Sequence, residues 1–214
     1  MDDALGLPPG AFGKIDSEDD EHFYDEPRLV YHIDDGAVAA LTAFYRSVLP
    51  EGGVLLDLMS SWVSHLPPEA HYAEVIGHGM NAAELAANPR FARWFVQNLN
   101  RDPSLPLADG SADAAMICVS IQYLQQPVAV LREAARVLRP GAPIVISFSN
   151  RCFPTKAVAI WHRLNDDGHA QLVAEYLRHA GFADIATHRL AAWVEDESDP
   201  LIAVVGRAPA AISV

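Results

Sequence analysis

The chain has 214 residues, 50% of them hydrophobic, and a formal net charge of -13. That length supports one domain with a sizeable core, while the acidic balance argues against nucleic acid or anionic membrane surfaces, whose binding rests on Lys and Arg neutralising phosphates. Cys118 and Cys152 make neither a metal-binding spacing nor a disulfide framework, so no metal centre is expected.

Much of the charge is local. Residues 1–27 hold nine carboxylates against Lys14 alone, and the first 21 combine Gly, Pro and acids with few large apolar groups. They read as a mobile acidic arm. The start lacks a basic region followed by an apolar run, and no stretch approaches the ~18 consecutive apolar residues of a membrane span, so the expectation is a cytoplasmic protein. Residues 22–214 are expected to form a single domain.

Its first part, 22–49, is a docking segment followed by a helix. Phe23, Tyr24, Leu29, Val30, Tyr31 and Ile33 are anchors, and Asp34 or Asp35 caps a helix to about Leu49 with Pro50 beyond its end. Val54, Leu55 and Leu56 then form a short apolar run ending at Asp57, punctuated by Gly52 and Gly53, which reads as a buried strand entering a polar turn.

Tyr72–His78 predicts a second strand, and Asn81 caps a helix carrying Ala82, Leu85 and Ala86. Trp94–Leu99 is a weaker third strand and Ala114–Val119 a buried fourth. Pro127, the spacing of Val130, Leu131, Ala134, Val137 and Leu138, and the stop Arg139-Pro140-Gly141 define a helix. Ile144–Ser149 is a fifth strand and Asp166–Ala180 an amphipathic helix closed by Gly181. Phe182–Arg189 and Leu201–Arg207 read as strands around the charged turn WVEDESDP, and the last seven residues as frayed. Strands alternating with helices, then two strands in succession, predict an α/β fold: a Rossmann-like, doubly wound, mostly parallel sheet with an antiparallel C-terminal hairpin at its edge.

This succession, with Leu105-Pro106-Leu107-Ala108-Asp109-Gly110-Ser111-Ala112-Asp113 and Glu133-Ala134-Ala135-Arg136-Val137-Leu138-Arg139-Pro140-Gly141, resembles the class I S-adenosylmethionine-dependent methyltransferases, in particular the small-molecule group called type 11. The resemblance covers roughly residues 36–207 and implies a seven-stranded sheet. It also exposes a departure. The family's first strand usually ends in an acid and a glycine-rich turn, roughly D-x-G-x-G-x-G, because absent side chains let the backbone approach the cofactor. Here Asp57 is present, but Met59, Ser61 and Val63 stand at the glycine positions. The acid expected at the end of the second strand, which accepts from the ribose hydroxyls, is replaced by Gly79.

The resemblance implies S-adenosylmethionine as cofactor, held by Asp57, Met59, Ser60 and Ser61 at the turn and by His78, Gly79 and Asn81 near the ribose. Asn100 and Asp102 would meet the adenine, with Asn98 a third choice, and Val119 and Ser120 would line the pocket floor. Acceptor contacts are expected from Tyr24, Arg28, Tyr31, Trp62, Gln122, Tyr123, Asn150, Arg151 and Lys156. Arg151 and Lys156, two cations in one loop of an acidic protein, point to a carboxylate-bearing small molecule. A histidine is the usual general base near neutral pH, with His32 the first choice and His65 the second. Two functions follow: methyl transfer to a small molecule, or a non-catalytic binding or regulatory protein whose cofactor site has been reshaped.

Overall fold

Alternation of side chains across the strands decides the architecture. In β1 (Val54–Leu58) Leu55 packs on one face of the sheet and Leu56 and Leu58 on the other, and all three are fully buried. A strand buried on both faces requires helices on both sides. The computed structural model, which describes residues 5–192, 194 and 198–210, has that arrangement. The expectations for residues 1–4, for half of the charged turn and for 211–214 lie outside the described residues.

The other strands are β2 (Glu74–Gly79), β3 (Arg93–Val96), β4 (Ala114–Cys118), β5 (Pro143–Phe148), β6 (Ala183–Ala191) and β7 (Leu201–Arg207). They form one seven-stranded sheet in the order β3-β2-β1-β4-β5-β7-β6. Pairing is parallel from β3 to β5, and β7 runs antiparallel to both β5 and β6. The fold class expected from the sequence is therefore observed. Strand order reverses between β1 and β4, which opens a crevice at the carboxyl ends of those strands where α/β sheets bind ligands.

The helices are α1 (Asp20–Phe23), α2 (Asp35–Val48), α3 (Ala82–Ala87), α4 (Pro127–Val137) and α5 (Asp166–His179). Asp34 caps α2 by accepting from the Ala37 amide, and Ala37, Leu41 and Tyr45 are buried with Leu55 and Met116 on one face. Val130, Leu131, Ala134 and Val137 of α4 pack with α5 residues Val173 and Leu177 on the other. The third strand is shorter and earlier than the Trp94–Leu99 expected: the Gln97 amide makes the last ladder bond, to the Gly79 carbonyl, and its side chain then donates to the Asp102 and Ser104 carbonyls of the following turn.

The stretch expected as a mobile arm is instead laid against the body over residues 5–21. Ala11 is buried, and the Ala11, Gly13 and Thr155 carbonyls accept from Ile160, Ala159 and Asp16 amides, respectively. The acids themselves supply the rest of the attachment. Asp20 takes the Lys14 ammonium at 2.5 Å, and Lys156, fully buried, donates to the Glu18 carbonyl and pairs with Asp16 at 3.0 Å. Composition signals missing apolar anchors but carries no trace of such pairing.

Candidate functional site

A cavity of about 320 Å³ runs along the carboxyl ends of β1, β2 and β4 and beneath the N-terminal segment. This lies at the small end of the ~300–1,000 Å³ typical of ligand pockets. One wall is the turn after β1, from Met59 to Val63. Another is the end of β2 and the start of α3, and the far end is formed by Gln97–Asn100 and Tyr123.

The turn holds its shape without glycines through side-chain bonds. Asp57 is buried and accepts from the Ser60 hydroxyl at 2.8 Å, with Ser64 as a second partner. Burial pushes its carboxyl up to about 7, against the opposing effect of those two hydrogen bonds. The His78 ring accepts the Met59 amide at Nδ1, and its Nε2 lies 3.0 Å from the Gln97 carbonyl, so Nε2 carries the proton. Desolvation pushes this imidazole down to about 4, and it is neutral. Asn88 donates to the Ser61 carbonyl and to the Ser64 hydroxyl. Met59, at the first expected glycine position, has φ 54°. The backbone there keeps the left-handed conformation that glycine favours, and the network offsets the cost of placing a side chain in it.

Val119, just past β4, has φ 43°. A β-branched residue in that region is a genuine outlier, and such strain concentrates at functional sites. The neighbouring Ser120 hydroxyl is buried, lines the cavity and has no hydrogen-bond partner among the described residues. A buried polar group of this kind is satisfied when a ligand or water reaches it.

The cavity gathers Met59, Ser60, Ser61, His78, Gly79, Asn81, Asn100, Val119 and Ser120 from the expected cofactor set, but several have other partners. Asn81 is consumed as the cap of α3, accepting from Ala83 and Glu84 amides and donating to the Tyr24 and Asp25 carbonyls. Asn100 donates to Asp20 and the Tyr123 carbonyl and accepts from the Gln125 amide. Asp57 does not line the cavity: its short side chain is turned into the base of the loop it organises. Asp102 is exposed, also outside, and accepts from the Ser104 amide as an ordinary turn starter.

On the acceptor side Tyr24, Tyr31, Trp62, Tyr123, Arg151, His32 and His65 line the space. Tyr31 packs against Trp62 and His65 with ring centroids 5.0 and 5.8 Å apart, and the indole N–H donates to the Val30 carbonyl. Burial lowers both histidines: His65 goes down to about 4, with His32 adding a smaller push, and His32 moves in the same direction. Arg28, Gln122, Asn150 and Lys156 stand outside. Arg28 stacks 4.4 Å over the Phe23 ring and donates to the Phe23 carbonyl. Gln122 is buried and donates to the Val119 carbonyl, Asn150 is exposed beside the Ser149 hydroxyl, and Lys156 is neutralised by the N-terminal acids. Arg151 remains, in an ion pair with Asp199 at 2.6 Å.

Among the lining residues that had no part in the expected site are Asp20, Glu84 and Phe153. Asp20 and Phe153 carry no local signal. Glu84 does, because Asn81-x-x-Glu84 is the spacing of a capping box, which places the acid in the first turn of the helix after β2. Among the described residues no cluster of three or more His, Cys, Asp or Glu side chains could hold a metal ion, and no helix is long and apolar enough to cross a membrane.

Comparison with known proteins agrees with this geometry. Residues 61–146 match the family model described as a methyltransferase domain. The match begins past β1 and Asp57, downstream of the first missing glycine. A malonyl-[acyl-carrier protein] O-methyltransferase of Hahella chejuensis is 28% identical over 149 residues, covering 66% of this chain and 52% of that protein. The chain thus spans about half the length of that curated relative. Among solved structures, the [4+2]-cyclase SpnF superposes with a TM-score of 0.62 at 16% identity, covering 86% of this chain and 89% of that one. An S-adenosylmethionine-dependent methyltransferase from Mesorhizobium loti superposes with a TM-score of 0.56 at 17% identity, covering 78% and 97%. Strand order, cavity position and the matched segment together make the chain similar to the class I S-adenosylmethionine-dependent methyltransferases.

Proposed function

We propose that the chain transfers the methyl group of S-adenosylmethionine to a small-molecule acceptor. The observation that carries this reading is the cavity itself: it lies along the strand ends, is bounded by left-handed backbone at Met59 and Val119, and presents the Ser120 hydroxyl, which has no partner among the described residues. Met59 packs against the core and Trp62 is tied to Val30 and Tyr31, so both line the space and neither closes it. The residues fit the cofactor at the turn and along β4, with Ser60, Ser61 and Ser120 offering hydroxyls.

Bound, the cofactor supplies a methyl group activated on a sulfonium, so the protein's task is to orient the acceptor and take its proton. His32 suits that task. It is half-buried at the cavity, and a lowered pKa keeps its imidazole neutral and able to accept a proton. His65, held lower still, is the weaker base. A carboxylate on the acceptor would meet Arg151, the one expected cation that lines the space, by exchange with Asp199. The relative that acts on a malonyl group fits that choice, whereas Lys156 plays no part in it. The cavity volume favours a small acceptor or the tip of a longer one.

The second reading, a non-catalytic binding protein, is favoured by one observation: the Ser60 carbonyl occupies the place of a side chain at Gly79, so the usual ribose acid is excluded. Incubation of the full chain with methyl-labelled cofactor and a panel of small carboxylic acids, phenols and amines separates the two. Label in a product supports the enzyme. Cofactor binding with no transfer to any class supports the binding protein.

A further inference from the structure

We infer that Glu84, in the first turn of α3, accepts the hydrogen bonds of the cofactor's ribose diol in place of the missing acid at the end of β2; this rests on the cofactor reading above. A Cβ on Gly79 would lie 2.5 Å from the Ser60 carbonyl and 3.1 Å from Leu85 Cδ2. The first contact is with backbone fixed by the Ser60 amide, which donates to the His78 carbonyl at 2.7 Å. A carboxylate therefore cannot grow from the strand end, and the direction it would have taken points at the residue next to Glu84.

Glu84 is 8% exposed and lines the cavity. Asn81 and Glu84 have capping-box spacing, and Asn81 does accept from the Glu84 amide at 3.1 Å. The Glu84 carboxylate is directed toward the cavity wall, where Oε1 accepts from the Arg28 amide at 2.6 Å and Oε2 from the Ser61 hydroxyl at 2.7 Å. Each oxygen has a second lone pair, so two sites remain for two hydroxyl donors. Both existing donors are neutral, and among the described residues no Lys or Arg side chain lies within ion-pair distance of Glu84. Its charge is left for a ligand.

The charge of the other carboxylate lining the cavity, Asp20, is taken by two lysines, although its Oδ1 accepts no hydrogen bond among the described residues. Asp20 Oδ2 takes Lys14 and Asn100, and its Oδ1 stands 3.4 Å from the Lys156 ammonium.

The test is calorimetric titration of the full chain with S-adenosylhomocysteine, adenosine and 2′,3′-dideoxyadenosine. A hydroxyl bonded to a charged acceptor contributes enough for about a tenfold change in affinity. The wild type should prefer adenosine to its dideoxy analogue by at least that factor. Glu84→Gln should weaken S-adenosylhomocysteine and adenosine about tenfold and leave the dideoxy analogue unchanged. A Glu84→Gln protein that keeps the preference, or weakens all three alike, overturns the inference while the cofactor reading stands. If no ligand binds the wild type, both fall. Should the variant not fold, the wild-type preference decides, and a ratio under about twofold overturns the inference.

Discussion

The Ser60 carbonyl stands 2.5 Å from the position a Cβ would take on Gly79. The loop after β1 has closed onto the end of β2, with Ser60 and Met59 amides both bonded to His78. Gly79→Asp, which restores the family's acid on paper, is therefore expected to destabilise the protein by about 1–3 kcal/mol through overpacking against backbone. Urea unfolding should show a lower midpoint with an unchanged slope. Stability equal to wild type would mean that this loop yields freely.

Asp57 on one side and His65 and His78 on the other give stability opposite pH dependences. The folded Asp57 carboxyl is raised to about 7 by burial, so its contribution is fully present below the unfolded value near 4 and is lost as pH rises through 7. His65 and His78 are depressed to about 4 by burial. Their contribution is present above the unfolded value near 6.5 and is lost as pH falls through 4. Asp57→Asn should consequently be more stable than wild type at pH 8, with the difference gone near pH 4, as followed by chemical denaturation across that range. A constant difference would show that Asp57 does not titrate there.

Lys156 carries the N-terminal segment. Replacing it by Met leaves Asp16 without its buried partner and Asp20 with Lys14 alone. Removing the buried ammonium loosens the segment, while the surviving Lys14 contact holds part of it. Limited proteolysis should then cut within residues 5–21 much faster than in the wild type. Equal cutting rates would assign the attachment to backbone pairing instead.

For His32→Gln, turnover with a competent acceptor should fall about 10²–10⁴-fold in kcat, while affinity for S-adenosylhomocysteine stays put. Wild-type kcat should decline as pH drops through the His32 pKa, which lies below the ordinary 6.5, and the variant should lose that limb. An unchanged profile would move the proton acceptor elsewhere.

Much of this fold was legible because local signals and tertiary burial agree. The Asp34 cap, the Pro127 start of α4, the Gly141 and Gly181 turns and the two-faced strands β1, β4 and β5 are each where their residues put them. The site was less legible. Met59, Ser61 and Val63 read as losses, because nothing local tells that His78, Asn88 and Asp57 would hold the same turn from three separate elements. Lys156 read as a substrate cation because its partners lie about 140 positions away in sequence, within a segment whose composition resembles an unfolded tail. Asp102 read as an adenine contact, and its own turn consumes it.

We propose that a turn built from side chains still cradles the cofactor. Titration of the full chain with S-adenosylmethionine in a calorimeter, up to about 1 mM ligand, tests it most directly. Saturable heat, with thermal stabilisation that grows as ligand exceeds its dissociation constant, is the predicted result. Neither heat nor stabilisation at that concentration would contradict it.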